Sequence, residues 1–128
     1  MSEDKKPLWE VAYQALDDKK GIDIVVIEVT DVSVIADHLV LVTANSSVHL
    51  QTLAQNVMDE AEMNGYKVYG SEGLRDGKWA LIDLGYVIVH VMSESIRNFY
   101  SLEKLWSNGK IVTEIPASVH QMDQSTKA

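Results

Sequence analysis

The sequence contains no cysteine and only two prolines. Without cysteine, the chain cannot form a disulfide, a thiolate nucleophile, an iron–sulfur site or a cysteine-ligated zinc site. The longest apolar run is far shorter than the roughly 20 residues that a transmembrane helix needs. The opening MSEDKKPLWE lacks the apolar core of a signal peptide and the arginine-rich, acid-poor character of a transit peptide. From these absences we expect a cytoplasmic protein.

Positive charge is also scarce, because 11 Lys and Arg residues face 19 Asp and Glu residues and give a net charge of −8. A protein that binds nucleic-acid phosphates needs a basic stripe. We therefore expect no direct, sequence-specific binding of nucleic acid. An acidic surface suits a basic protein partner, although solubility alone is the commoner reason for a charge of this size.

The length of 128 residues and a hydrophobic content of 46% predict one folded domain. Apolar periodicity predicts an α/β (α+β) fold, a mixed five-stranded sheet with helices packed on it in the order α-β-β-α-β-β-β-α. The domain is expected over 1–106, followed by a polar tail over 107–128 with a possible strand at 111–113. The predicted helices are 7–18, 45 or 46 to 64, and 94–106, and the predicted strands are 22–29, 38–43, 66–69, 79–84 and 87–92.

The last two of these strands form a hairpin around Gly85 and give one sheet face an unusual composition. A two-residue turn, whether at 84–85 or at 85–86, places alternate residues on opposite faces. One face is aliphatic and consists of Ala80, Ile82, Leu84, Val87, Val89 and Val91. The other, called here the mixed face, consists of Trp79, Leu81, Asp83, Ile88, His90 and Met92. Either a helix covers the mixed face and satisfies its polar groups, or the face binds a partner.

The alternative function is nucleotidyl transfer by an enzyme. Such enzymes carry a Gly-Ser pair on a turn and then two aspartates, one residue apart, that hold magnesium. Gly70-Ser71 and Asp83 fit this arrangement, and the topology is nucleotidyltransferase-like. Leu81 and Gly85, however, occupy the positions where the second carboxylate would stand. The enzyme would therefore need another carboxylate brought near in space, and we expect no catalysis, metal or cofactor.

His90 and the last helix carry the remaining polar groups of interest. None of the four histidines is spaced as a metal ligand with another. For His90 we expect donation to a carboxylate, Asp83 or Glu103, with direct contact to a partner as the alternative. Arg97, Tyr100 and Lys104 share one side of the helix, and aromatic residues with arginine are typical of interaction hot spots. Packing of the helix over the hairpin explains some of the same residues.

A set of signature residues runs through the chain: Lys19-Lys20 with Ile24-Val25-Val26, Ile35-Ala36-Asp37, Glu72-Gly73, Trp79, Asp83, Gly85, Val89-His90, Arg97, and the run Phe99-Tyr100-x-Leu102-Glu103-x-Leu105-Trp106. At these residues the chain resembles the ribosomal silencing factor (RsfS, or Iojap) family, and the resemblance covers about residues 8–106. The chain departs from the family pattern at His38-Leu39 and at Tyr86.

The resemblance implies a protein without catalytic activity that binds the large ribosomal subunit through large-subunit ribosomal protein fourteen. Bound there, it would block joining of the small subunit and repress translation when nutrients are limiting, and some relatives aid subunit maturation. The resemblance also implies a homodimer when the protein is free. Together with the mixed face, it predicts that the partner-binding residues are Trp79, Leu81, Asp83, His90, Arg97 and Tyr100.

Overall fold

The computed structural model describes residues 6–29, 36–100 and 110–111, with side chains over 6–29 and 36–98. Within these residues the chain alternates helices with strands much as its periodicity predicts. The helices are α1 (Leu8–Asp18), α2 (Ser47–Met63) and α3 (Glu94–Tyr100). The strands are β1 (Ile22–Glu28), β2 (His38–Ala44), β3 (Gly70–Glu72), β4 (Trp79–Asp83), β5 (Val87–Ser93) and β6 (Lys110–Ile111).

The strands form one mixed sheet in the order β3-β4-β5-β2-β1-β6. β2 and β5 pair in parallel at its centre, and the other neighbours are antiparallel. The predicted α+β fold with five strands in a mixed sheet is confirmed. A sixth, two-residue strand pairs with β1 at residues 110 and 111, which lie in the segment expected as a tail. The domain boundary at residue 106 stays a prediction.

The position of β3 corrects one predicted element, because the strand expected over 66–69 lies at Gly70–Glu72 instead. Gly65, with φ of 84°, ends the turn after α2. The next residues cross from the helix layer to the sheet, and the hydroxyl of Tyr66 donates to the carbonyl of Lys6 at 2.5 Å. Pairing with β4 begins only where the amide of Tyr69 donates to the carbonyl of Asp83 at 2.8 Å. The alternation of half-buried and exposed residues over 66–69 therefore reflects packing beside the sheet rather than pairing within the sheet.

The main core lies between the aliphatic face and the helices α1 and α2. The six predicted aliphatic residues of the hairpin are all at most 3% exposed and belong to this core. The apolar stripes of both helices complete it, through residues such as Leu16, Leu50 and Val57. Burial of aliphatic side chains at this density is the dominant stabilising contribution to the fold. The predicted division of the hairpin into two faces is confirmed.

The start of α2 is fixed by a capping arrangement in which a histidine takes part. The Ser46 hydroxyl accepts the amide of His49 at 3.0 Å, and the His49 Nδ1 accepts the amide of Asn45 at 2.9 Å. The His49 Nε2 then donates to the carbonyl of Lys19 at 2.9 Å. Of the two predicted caps, Ser46 is the one used, and His49 joins the end of α1 to the start of α2.

None of the described helices is long and apolar enough to cross a membrane.

Gly70, the first residue of β3, and Gly73, which follows the strand, provide a matched test of how the chain turns into β4. Gly73 has φ of +83°, and a Cβ there would overlap the carbonyl oxygen of Trp79, whereas a Cβ on Gly70 would meet nothing within 4 Å. We expect Gly73→Ala to lower the free energy of unfolding by at least about 1–2 kcal/mol, the cost of a left-handed conformation for an L-residue. Gly70→Ala should change it by less than about 0.5 kcal/mol. Chemical denaturation measures both, and equal values would contradict the turn geometry.

Candidate partner-binding face

The mixed face extends across four strands, and the strand register places its residues in three rows. The pairs Trp79–Met92, Leu81–His90 and Asp83–Ile88 join β4 to β5, as predicted. Each row continues onto β2 and then onto β1, where the register shifts between Ile22 and Val25. The rows are Trp79–Met92–Thr43–Ile22, Leu81–His90–Leu41–Val25 and Asp83–Ile88–Leu39–Ile27.

The two halves of the mixed face differ in how far they are covered. On β2 and β5, Leu41 and Met92 are fully buried, and α3 packs over these strands with Ile96 against their apolar cluster. On β4, Trp79 and Leu81 remain half-buried. Beside them lies a shallow depression of about 230 Å³ lined by Glu72, Gly73, Trp79 and Leu81. Ile88 and His90 on β5 are half-buried as well, so the accessible half of the face consists of the β4 residues and these two neighbours on β5.

A hydrogen bond between two side chains organises the accessible half. The indole Nε1 of Trp79 donates to the Nδ1 of His90 at 3.0 Å, and the ring centroids lie 5.9 Å apart at an interplanar angle of 50°. Because Nδ1 accepts, the proton of the neutral imidazole resides on Nε2. Burial lowers the pKa of His90 to about 4, so the ring is neutral near pH 7. The expected bond from His90 to Asp83 is wrong, and Glu103 lies outside the described residues.

Asp83 has a local role in the hairpin turn. Its Oδ1 accepts the amide of Gly85 at 2.9 Å, and Gly85 has φ of 92°. The carboxylate thus stabilises the two-residue turn at Gly85-Tyr86, which the bond from the Leu84 amide to the Val87 carbonyl, 3.0 Å, closes. Among the described residues there is no group of three or more His, Asp and Glu that could hold a metal ion. The geometry therefore supplies Asp83 with a structural function that needs no metal.

The side chain of Arg97 extends from α3 into the protein interior, whereas the sequence predicted that it would contact a partner at the surface. Its side chain is 8% exposed, and its Nη1 donates to the carbonyl of Asp23 at 2.6 Å and to the hydroxyl of Thr43 at 3.0 Å. Asp23 has φ of 51° and lies where the pairing of β1 with β2 is irregular. The guanidinium therefore joins α3 to β1 and β2. Tyr100 ends α3, and its side chain lies outside the described part.

Comparisons with known proteins identify the family of this chain. A family model described as "Ribosomal silencing factor during starvation" matches residues 2–128. The chain belongs to the ribosomal silencing factor family. The resemblance drawn from the signature residues is thereby confirmed.

Individual members of the family agree over most of the chain. A ribosomal silencing factor of Bacillus subtilis is 36% identical over 107 residues, which cover 84% of this chain and 91% of that protein. The ribosomal silencing factor of Haemophilus influenzae is 38% identical over 100 residues, covering 78% and 98%. A crystal structure of a Chromobacterium violaceum protein superposes with a TM-score of 0.77 at 33% identity, covering 78% of this chain and 83% of that one.

In the sequence, Glu72-Gly73 is recognisable as a family signature but not as part of a surface. The structure brings both residues beside Trp79 and Leu81, because Glu72 pairs with Leu81 across β3 and β4. Gly73 itself could have indicated this position, because a glycine before a strand is typical of a close backbone approach or a positive φ. Thr43 and Asp23, the partners of Arg97, carry no comparable signal.

The lowered pKa of His90 predicts a pH dependence of stability. Its pKa is about 4 in the folded state and about 6.5 when unfolded, so the unfolded chain takes up the proton first. Stability due to His90 is therefore complete above about pH 6.5 and is lost as the pH falls toward 4. Relative to wild type, His90→Asn should gain on the order of 3 kcal/mol of unfolding free energy between pH 7 and pH 4. Denaturation curves at both pH values measure this difference, and a difference that is independent of pH would contradict the buried, neutral imidazole.

Proposed function

We propose that this protein, as a ribosomal silencing factor, binds large-subunit ribosomal protein fourteen in the cytoplasm and blocks joining of the small subunit. Translation would then fall when nutrients are limiting, and no cofactor or catalytic step would be needed. The observation that carries the proposal is the accessible half of the mixed face. There an aromatic and an aliphatic side chain, Trp79 and Leu81, are only half-buried.

The chemistry of this half-face suits a protein partner. Partly exposed Trp next to an aliphatic residue provides the large, rigid apolar area at which binding energy concentrates. The adjoining depression of about 230 Å³ can receive a single side chain of the partner. His90 and Asp83 are already engaged in internal hydrogen bonds. A partner therefore meets a surface whose polar groups need little rearrangement.

Charge favours a basic partner. The net charge of −8 applies to the whole chain, and Glu72 and Asp83 add carboxylates at the rim of the exposed half-face. Carboxylates at the rim of an interface raise the association rate with a basic surface more than the final affinity. The association rate with large subunits should consequently fall with increasing salt.

The contact surface is tested by substitutions in the accessible half of the mixed face. Trp79→Ala and Leu81→Lys should each weaken co-sedimentation with large subunits at least about tenfold, because loss of a hot-spot residue costs about 2 kcal/mol. The control is Met63→Ala, which alters a side chain that is 78% exposed on α2, on the other side of the sheet. Arg97 is left unchanged, since its removal would disturb packing under α3.

Pull-down of isolated large-subunit ribosomal protein fourteen tests the partner itself. Both half-face variants should lose this protein while remaining folded, and Met63→Ala should retain it. Wild-type retention by folded Trp79→Ala and Leu81→Lys would place the contact elsewhere. Binding of large subunits that is independent of protein fourteen would refute the proposed partner while leaving the silencing function in place.

We also propose that the free protein forms a homodimer that covers the same half-face. An exposed apolar patch is costly in water, and a second copy can cover it by two-fold association. Dissociation must then precede ribosome binding, so the apparent affinity for large subunits should weaken as protein concentration rises. Analytical ultracentrifugation over a concentration series, paired with subunit competition, measures both effects. A strict monomer at high concentration would exclude this mechanism.

A further inference from the structure

The shallow depression beside Trp79 combines a carboxylate with aromatic and aliphatic surface. We propose that it holds a basic side chain of the partner, whose cationic end contacts the Glu72 carboxylate and whose stem lies along Trp79 and Leu81. This inference rests on the proposed function of the accessible half of the mixed face. It adds the class of side chain that is recognised and assigns Glu72 a direct contact.

Strand pairing places the lining residues of the depression around one opening. Glu72 pairs with Leu81 across β3 and β4, so both side chains lie on the mixed face. Trp79 lies two residues before Leu81 in β4 and therefore on the same face. Gly73 follows Glu72 with φ of +83° and contributes backbone but no side chain. Three side chains and one backbone segment thus border a space of about 230 Å³.

The hydrogen-bonding groups of these side chains favour a donor as the ligand. Leu81 is aliphatic, and an ionised Glu72 carboxylate only accepts. Among the described side chains that line the depression, the only donor is the indole N–H of Trp79, which already donates to Nδ1 of His90 at 3.0 Å. A carboxylate or carbonyl of a partner would therefore meet no available side-chain donor. A cation that carries several N–H groups matches the lining.

A basic side chain can use all three bordering side chains at once. Its charge can pair with Glu72, which is exposed and therefore accessible. Its aliphatic stem can cover Leu81, because lysine and arginine bury their stems along apolar surface while the charge stays at the edge. A cation can also lie over the indole of Trp79. Arginine fits best, since its planar guanidinium both stacks on an aromatic ring and pairs with a carboxylate.

Direct contact with Glu72 is distinguishable from the general attraction of an acidic protein. Attraction by the net charge of −8 acts mainly on the association rate. A carboxylate that touches a bound cation also holds the complex together, so its loss raises the dissociation rate. Glu72→Gln removes the charge and keeps the size of the side chain. Glu62→Gln makes the same change at an exposed position of α2 and is the matched control.

The kinetics of binding to large subunits test this contact. Glu72→Gln should raise the dissociation rate about fivefold, the loss of one partly exposed charge contact, whereas Glu62→Gln should change it less than about twofold. In a Trp79→Leu background the effect of Glu72→Gln should shrink to less than about twofold, because both residues contact the same side chain. A wild-type dissociation rate in folded Glu72→Gln, or equal effects in the two backgrounds, would overturn the inference.

A second measurement uses the unbound protein and an arginine probe. N-acetyl-arginine amide should shift the indole ¹H–¹⁵N signal of Trp79 and the backbone amide signals of Glu72 and Gly73. Saturation is expected at about 10–100 mM, the range for one isolated side chain. The Trp79 signal is identified by its loss in Trp79→Leu. Neutral N-acetyl-glutamine amide, or the arginine probe added to Glu72→Gln, should give no saturable shift. Equal shifts with both probes, or none with the arginine probe, would contradict the inference.

The two measurements separate this inference from the function on which it rests. If wild-type protein fails to bind large subunits, the proposed function fails, and the titration still decides whether the depression takes a basic side chain. If wild type binds and Glu72→Gln dissociates at the wild-type rate, the function stands and the inference is overturned. A loss confined to self-association in ultracentrifugation would assign the depression to a second copy and overturn it as well. Thermal unfolding of each variant establishes that it is folded.

Discussion

The two-residue turn at Gly85-Tyr86 is the constraint on which the rest of this structure depends. The Leu84 amide closes it onto Val87 at 3.0 Å, and the Asp83 carboxylate holds the Gly85 amide at 2.9 Å. Because side chains alternate with a period of two, a slip of one residue in β4 would turn its apolar core residues to solvent. The turn thus fixes at once which residues form the core and which form the mixed face. A carboxylate that looks like a remnant of catalysis contributes to the fold in this way.

The sequence allowed the hairpin and its faces to be predicted because both follow from local rules. A glycine between two apolar strands sets the loop length, and parity then assigns Ala80 and Ile82 to the core and Leu81 to the mixed face. The strand before it was misplaced, because Tyr66–Tyr69 alternates like a strand while its hydrogen bonds join the helix layer to the sheet edge. An alternation of apolar and polar residues indicates a half-buried segment, but it does not indicate which strand, if any, pairs with that segment.

Arg97 shows what could not be predicted from local sequence. Its spacing with Tyr100 on α3 is equally compatible with an exposed stripe and with a buried one. The deciding feature is the carbonyl of Asp23, which is 74 residues away in sequence and adopts φ of 51° in an irregular part of β1. A positive φ at an aspartate and an acceptor hydroxyl at Thr43 together form a buried site for a guanidinium. Only the tertiary structure brings these groups together, and a buried charge needs such partners to be tolerated.

The two halves of the mixed face differ in burial, since one half is part of the folded core and the other is partly exposed. α3 packs against the apolar cluster that contains Leu39, Leu41 and Met92, and Arg97 holds that helix to the sheet, so this half belongs to the folded core. On β4, the indole of Trp79 and the carboxylate of Asp83 form internal hydrogen bonds, while Trp79 and Leu81 are only half-buried. A protein that acts by occupying a surface gains most from such rigidity, because little conformational entropy is lost on binding. The proposed steric blocking requires residence on the partner rather than chemistry, and a preorganised, partly exposed apolar half-face with an acidic rim would favour that residence.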